Sequence, residues 1–311
     1  MKNNRTDGAR WARVGSTRFA FVVAKRRGNE QRRTRRHGGY GWLWLLLPLL
    51  SFVQPPGGGQ TVPVDICDGH NWTFQPGERL TYKIYYNWNF VWVAAGEVTF
   101  GVDEAPNNQY HLSADGRTYA AYDWAFRVRD RYDTYIDRET LLPVRATKNL
   151  HEGRYTLYED NHFDQTGKQA HTRRGRSRET VREDVSIDLS NCAHDLLSIL
   201  YFTRNLDLND YRAGAELPIE LYLDKEVYPL KIRYRGREGE KKVRGQGTLP
   251  THRLNPEVIA GGVFNEDAQM QIWVSDDQNQ IPLLIESPIK VGSVKVVLKD
   301  YEGLLYETNG F

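Results

Sequence analysis

From residue 79 onward, apolar and polar side chains alternate with a period of two. In the first run, Leu80, Tyr82 and Ile84 alternate with Thr81 and Lys83. Successive side chains of a β-strand point to opposite faces, so this alternation predicts strands with one buried face. Further strands are predicted at 91–102, 109–121, 126–136, 142–149, 153–163, 217–223, 227–235, 240–249, 269–275, 281–287 and 291–301.

Short turn sequences separate the predicted strands. They include Asp115-Gly116, Glu152-Gly153, Arg237-Glu-Gly239 and the polar run 276–279. Connections this short favour hairpins of antiparallel strands.

Residues 192–204 break the alternation. Their apolar residues recur at helical spacing, and Ser190 or Asn191 is a suitable N-cap. We therefore predict a mainly β fold, a large curved antiparallel sheet or open barrel wrapped around one main α-helix. A single domain over 61–311 is expected, with a boundary near 205–215 as the alternative.

Positive charge is concentrated at the start of the chain. Residues 1–39 hold 12 of the 42 Lys and Arg residues against two acidic residues, although the whole chain has a net charge of only +2. An apolar run at 42–53 and a Pro/Gly-rich segment follow. This pattern predicts a basic leader, signal peptide and linker over 1–60, with a short retained membrane anchor as the alternative. The remaining chain is acidic, so a nucleic-acid partner is not expected.

Cys67 and Cys192 are the two cysteines of the chain. Both lie in the part that we expect to be exported, where a disulfide is favoured. Two unpaired buried thiols are the alternative. A nucleophile made of Cys192 and His194 is less favoured, because adjacent helical positions diverge and Asp195 suits the first turn of a helix.

No complete catalytic or cofactor motif is present. The chain has neither G-x-S-x-G nor H-E-x-x-H, and Gly245 and Gly247 lack the third glycine of a dinucleotide loop. We predict no catalytic residues, no metal site and no cofactor.

Aromatic residues are the candidate binding groups. Trp88, Trp92 and Trp124 lie in or near predicted strands, and an aromatic concave β surface can hold a lipid or another amphipathic molecule. The alternative is that they fill the core of the sheet. Non-catalytic binding is the prediction, and membrane association through the leader or the periphery is compatible with it.

Two other classes of function stay open. A glycan-active enzyme of the cell envelope would use paired carboxylates drawn from Asp130, Asp133, Asp276 and Asp277, although 276–277 also suit a hairpin turn. A structural component of an envelope complex would instead present a large exposed apolar patch. Five arginines between 173 and 182 are typical of a solvated hairpin or, alternatively, an anion-docking site. The oligomeric state is not indicated.

Several segments together resemble a known family. They are 77–88, Ala95-Gly-Glu-Val98, 192–201, Trp273-Val-Ser-Asp-Asp277, 281–286 and 291–295. In this order, over most of 65–305, they resemble the exported bacterial family named domain of unknown function 3108. The resemblance implies a periplasmic or cell-surface protein of a Gram-negative bacterium without an established activity. More loosely, the expected fold is similar to the half-barrels of lipoprotein carriers.

Overall fold

A computed structural model describes residues 64–88, 91–259, 269–289 and 292–308. Within these ranges, fourteen strands form one open antiparallel sheet, accompanied by one α-helix. This confirms the predicted fold class. The predicted leader, 1–60, lies outside the described residues. The elements are β1 (Arg79–Trp88), β2 (Val91–Ala105), β3 (Gln109–Thr118), β4 (Arg129–Asp137), β5 (Pro143–Glu152), β6 (Tyr155–Asp164), β7 (Gln169–Gly175), β8 (Val181–Asp188), α1 (Leu196–Arg204), β9 (Glu216–Leu223), β10 (Glu226–Val243), β11 (Gly247–Pro256), β12 (Gln271–Ser275), β13 (Pro282–Pro288) and β14 (Ser293–Glu302).

Except for β8 and β9, strands that are neighbours in the sequence are neighbours in the sheet. The order is β8-β7-β6-β5-β4-β3-β2-β1-β14-β13-β12-β11-β10-β9, so β1 and β14 pair in the middle and β8 and β9 are the two edges. Residues 189–215, which include α1, connect these edges.

The helix packs against the inner face of the sheet. Val102 on β2, Leu112 on β3 and Ile136 on β4 are buried together with Leu197 and Tyr201 of α1. Side chains alternate along each strand, so the odd-numbered residues of β2 and β3 in this region lie on the outer face. None of the helices in the described ranges is long and apolar enough to cross a lipid bilayer.

The helix begins four residues later than the sequence predicts. Its N-cap is Asp195, and neither Ser190 nor Asn191 takes that role. The preceding backbone is extended: His194 N–H donates to Glu220 O at 3.0 Å, and Tyr222 N–H donates to His194 O at 2.7 Å. Residues before Asp195 therefore pair with the edge strand β9, which prevents an earlier start.

Side chains link the two edges where no strand ladder does. Asp224, in the β9–β10 turn, accepts hydrogen bonds from Lys148 Nζ at 3.0 Å and from Arg174 at 3.2 Å. Tyr222 and Thr172 share a hydroxyl hydrogen bond of 2.5 Å, and Lys225 pairs with Glu183. We call these contacts between the β9–β10 hairpin and strands β5–β8 the seam.

Cys67 and Cys192 form the predicted disulfide. Their Cα atoms are 5.4 Å apart and their sequence separation is 125 residues. The bond fastens the segment before β1 to the chain just before α1. Disulfides of this kind are typical of proteins that mature outside the reducing cytosol.

Some predicted strand limits are wrong. The turn expected at 237–239 lies inside β10, whose pairing with β11 is irregular there, and the actual turn is at 244–246. Asp115-Gly116 lies within β3 because β2 and β4 pair with it on both sides. The Arg-rich segment forms the β7–β8 hairpin.

Candidate functional site

Exposed apolar side chains gather at one end of the sheet. The end of β1, the start of β2 and the β3–β4 connection lie at this end. Exposure reaches 61% for Val91, 38% for Trp92, 39% for Tyr122 and 85% for Trp124. We call these four residues the aromatic end. An exposed apolar cluster is the informative exception on a protein surface, since large side chains are normally buried.

The predicted tryptophans divide between described and undescribed positions. The backbone of Trp88 pairs with Val91, but its side chain lies outside the description. Trp92 and Trp124 are at the aromatic end, and the Lys295 ammonium lies 4.7 Å from the Trp92 ring centre. We expected these residues on the concave face, but Trp124 is on the β3–β4 connection at the end of the sheet. Whether they bind a ligand stays a prediction.

The connection that carries Trp124 is fixed at its base. Arg129 donates to both carboxylate oxygens of Asp123, at 3.2 and 2.6 Å, and Thr118 Oγ1 donates to Asp123 at 2.7 Å. Tyr119 N–H donates to Ala95 O at 3.1 Å. Trp124 is thus presented to solvent by an anchored segment.

The same end of the sheet carries exposed arginines. The β3–β4, β5–β6 and β7–β8 connections expose four arginines, Arg127, Arg154, Arg176 and Arg178, which we call the basic rim. The acidic residues of these three connections are Asp123, which is paired with Arg129, and Glu179. The rim is therefore net positive.

A cleft of about 520 Å³ lies beside the aromatic end, along the outer face of β2–β5. We call it the outer cleft. Its lining residues are Glu97, Thr99, Asp115, Gly116, Arg117, Arg129, Asp130, Arg131, Asn149 and His151.

Most charges of the outer cleft are paired. Arg131 binds Asp133 at 2.6 Å and also Asp115. Glu97 accepts from Lys299 at 2.6 Å and from the Tyr119 hydroxyl at 2.9 Å. The hydrogen bond from Lys299 lowers the pKa of Glu97.

Asp130 is placed between two strands of the cleft wall. Arg131 pairs with Asn149 and Val128 with Glu152, and between these pairs His151 N–H donates to the Asp130 carboxylate at 3.0 Å. Burial raises the pKa of Asp130 to about 6. This carboxyl therefore changes charge in mildly acidic solution.

The other proposed carboxylates have structural partners. Burial opposes ionisation of Asp133, but hydrogen bonds from His111 and Arg131 lower its pKa to about 2. Asp276 pairs with His252 at 3.0 Å, and Asp277 accepts N–H bonds within the β12–β13 turn. Five strands of the sheet separate β4 from β12. The four carboxylates are not brought together as one site along the sheet.

The Cys192–His194 pair has no nucleophile, because Cys192 is in the disulfide. Burial lowers the pKa of His194 to about 4, and its ring nitrogens contact Ser198 Oγ and Ile66 O, each at 3.2 Å. Within the described residues, no group of three or more His, Cys, Asp or Glu side chains is arranged to hold a metal ion.

Residues 81–299 match the family described as "Protein of unknown function (DUF3108)". The chain belongs to the DUF3108 family. This confirms the resemblance seen in the sequence. None of the curated proteins matches this DUF3108 protein.

Two solved structures are similar to this DUF3108 protein. A β-barrel-like protein of domain of unknown function DUF1849 from Brucella abortus is 11% identical and aligns over 74% of this chain and 98% of its own, with a TM-score of 0.49. A putative exported protein with a YmcC-like fold from Bacteroides fragilis is 10% identical and aligns over 76% of this chain and 100% of its own, with a TM-score of 0.28.

The outer cleft of the DUF3108 protein was not predicted as a site. Its residues come from four strands, and most of them are at the polar positions of the alternating patterns, which indicate only a solvated face. The one local signal was Asp130, which interrupts the apolar set Val128, Tyr132 and Ile136.

Proposed function

We propose that this DUF3108 protein binds a lipid or another amphipathic molecule of the bacterial envelope and catalyses no reaction on it. The exposure of Trp124 beside Tyr122, Trp92 and Val91 is the observation that carries the proposal. The free energy is lowered when a ligand or a membrane removes such an apolar surface from water.

The aromatic end offers a large apolar contact. A tryptophan side chain buries about 150–250 Å², and burial contributes about 25 cal/mol per Å². A single exposed tryptophan therefore supplies several kcal/mol before the costs of association are subtracted. Indole also suits the boundary between water and acyl chains, because its N–H stays available to polar groups.

The basic rim supports the same function. Arg127, Arg154, Arg176 and Arg178 lie at the same end of the sheet as the exposed apolar side chains. Arginine near an apolar surface attracts anionic head groups while its methylene stem contacts apolar matter. Together they favour an amphipathic partner over a purely apolar one.

We place the protein in the periplasm or at the cell surface of a Gram-negative bacterium. The Cys67–Cys192 disulfide and the basic leader followed by an apolar run support this location. Native mass spectrometry of the mature protein from its own envelope, before and after organic extraction, should show a bound lipid.

Vesicle binding tests the proposal directly. Trp92→Ala/Trp124→Ala should lower affinity for vesicles of phosphatidylethanolamine and phosphatidylglycerol at least tenfold in co-sedimentation, because the apolar contact is removed. Both side chains are exposed, so the far-UV circular dichroism should not change.

Val185→Ala is the matched control. Val185 is 37% exposed on the edge strand β8, outside the aromatic end, and its replacement should leave binding unchanged. Wild-type affinity in the double tryptophan variant, or no vesicle binding by the wild type, would refute the proposal.

A further inference from the structure

We propose that the outer cleft binds the head group of the amphipathic ligand, and that this head group carries an acidic group and hydroxyls. The inference rests on the proposed function, since it assigns the polar end of the same ligand. The acidic group is a phosphate or a carboxylate, the two anions that the planar guanidinium fork matches.

Arg117 is the cation available to that acidic group. Its side chain is 69% exposed, and its ion pair with Glu97 is long, at 3.8 Å. Glu97 is held more closely by Lys299 and Tyr119. A ligand anion can therefore engage Arg117 without breaking a short ion pair.

The neighbouring arginines are positioned by carboxylates. Arg129 is held by Asp123, and Arg131 by Asp133 and Asp115. Their charges are compensated by those carboxylates, so among the described residues that line the cleft Arg117 is the arginine without a short ion pair. One such arginine suits one acidic group.

The rest of the lining suits hydroxyls. Asn149 and His151, both exposed, offer donors and acceptors from β5, and Asp115 offers carboxylate oxygens from β3. Carboxylates repel anions but accept hydrogen bonds from hydroxyls. A group with hydroxyls next to its acidic group satisfies both kinds of lining residue.

The size of the cleft agrees with this ligand class. Ligand sites span about 300–1,000 Å³. The outer cleft, at about 520 Å³, has room for a phosphorylated glycerol or a single acidic sugar ring. An acyl chain would leave the charged lining residues Glu97, Asp115 and Arg117 without a polar partner.

The chain leads directly from the cleft to the segment that carries Trp124. Arg117 and Thr118 end β3, and the chain then passes directly into the connection that carries Tyr122 and Trp124. The Arg129–Asp123 ion pair forms the base of that connection, and Arg129 also lines the cleft. One molecule can therefore place its head group in the cleft and its apolar part on Trp124.

Water-soluble probes test the cleft without the apolar contact. In calorimetric or NMR titrations of the mature protein, glycerol 1-phosphate and glucuronate should bind at least tenfold more tightly than glycerol and glucose. Arg117→Gln should weaken binding of the acidic probes about tenfold. Arg235→Gln, exposed on β10 and outside both the cleft and the basic rim, should not change it.

Three results would overturn the assignment. They are no binding of either acidic probe, unchanged binding in Arg117→Gln, and inorganic phosphate binding as tightly as glycerol 1-phosphate, which would indicate a site for the free anion only.

Vesicle binding separates this inference from the proposed function. Arg117→Gln should lose more affinity for phosphatidylglycerol vesicles, whose head group has hydroxyls and no cation, than for phosphatidylethanolamine vesicles. Vesicle binding through the tryptophans without binding of the acidic probes would refute the cleft assignment and leave the proposed function standing. Binding of the probes without binding of any vesicle would refute the proposed function.

Discussion

Burial shifts the ionisation of two side chains in opposite directions. It raises the pKa of the Asp130 carboxyl to about 6 and lowers the pKa of the His194 imidazole to about 4. In both groups the charged form is disfavoured, because it is removed from water. The sequence marked Asp130 as an interruption of an apolar face, but its contact with His151 N–H depends on the neighbouring strand and could not be predicted.

Asp130→Asn should stabilise the protein at neutral pH. The pKa of the carboxyl is higher in the folded chain than in the unfolded chain, so between pH 4 and 6 the folded state binds more protons and stability falls as pH rises. Asparagine keeps an acceptor for His151 N–H and carries no charge. We expect a gain of about 1–2 kcal/mol in the free energy of unfolding at pH 7 and none at pH 4, measured by urea denaturation.

Asp188→Asn is the control for this change. Asp188 is an exposed carboxylate on β8, and its replacement should have little effect at either pH. If Asp130→Asn raised the free energy of unfolding equally at pH 4 and pH 7, ionisation of Asp130 would not be what destabilises the wild type at neutral pH.

Helix α1 packs against the inner face of the sheet, and Asp195 fixes the start of this helix. Asp195 accepts from Ser198 N–H at 3.0 Å and Leu197 N–H at 3.3 Å, and Ser198 Oγ accepts from Asp195 N–H in return. Thr134 Oγ1, on β4, donates to the same carboxylate at 2.7 Å. Asp195 therefore joins the helix cap to the sheet.

Asp195→Ala should cost more than the loss of an ordinary cap. Removing an N-cap costs about 0.5–2 kcal/mol, and a buried hydroxyl left without its partner costs about 1–3 kcal/mol more. We expect a total loss of about 2–4 kcal/mol in urea unfolding. Asp195→Asn, which keeps an acceptor, should lose less.

Asp207→Ala is the comparison for a cap without a buried partner. Asp207 caps the short 3₁₀ helix Leu208–Asp210 through an exposed contact with Asn209 N–H. Its replacement should cost under about 1 kcal/mol. An equal loss in both alanine variants would argue against the contribution of Thr134.

At the same scale, the limits of elements were predicted less well than their existence. Asp115-Gly116 is a strong turn sequence, but pairing with β2 and β4 holds it in a strand. The helix was found from its apolar spacing, while its start was placed too early because pairing of His194 with β9 is not local in sequence. Tertiary pairing overrode local preference in both cases.

At the scale of the whole molecule, the alternation of apolar and polar residues was enough to predict the fold class. It did not predict the seam. The seam joins charged residues from β5 and β7 to Asp224 in the β9–β10 turn. In the sequence these residues are ordinary polar positions. The disulfide could be predicted, because only two cysteines were available to form it.

Loss of the disulfide should destabilise the whole fold. The bond has a sequence separation of 125 residues, and the chain-entropy estimate for a loop of that length is about 4–5 kcal/mol. Cys67→Ser/Cys192→Ser should lower the free energy of unfolding by up to about that amount. Added reductant should reproduce the loss in the wild type and leave the double variant unchanged; a wild type unaffected by full reduction would refute the prediction.

The pairing of β1 with β14 has a consequence for the folding rate. Every other ladder among the described strands joins strands adjacent in the sequence, so each can form from its own hairpin. The β1–β14 ladder joins Arg79 to Glu302 and requires closure of nearly the whole described chain. Pairing over long separations slows folding. We therefore expect β1–β8 and β9–β14 to form early as two separate antiparallel meanders. Pairing of β1 with β14 is then the slow step.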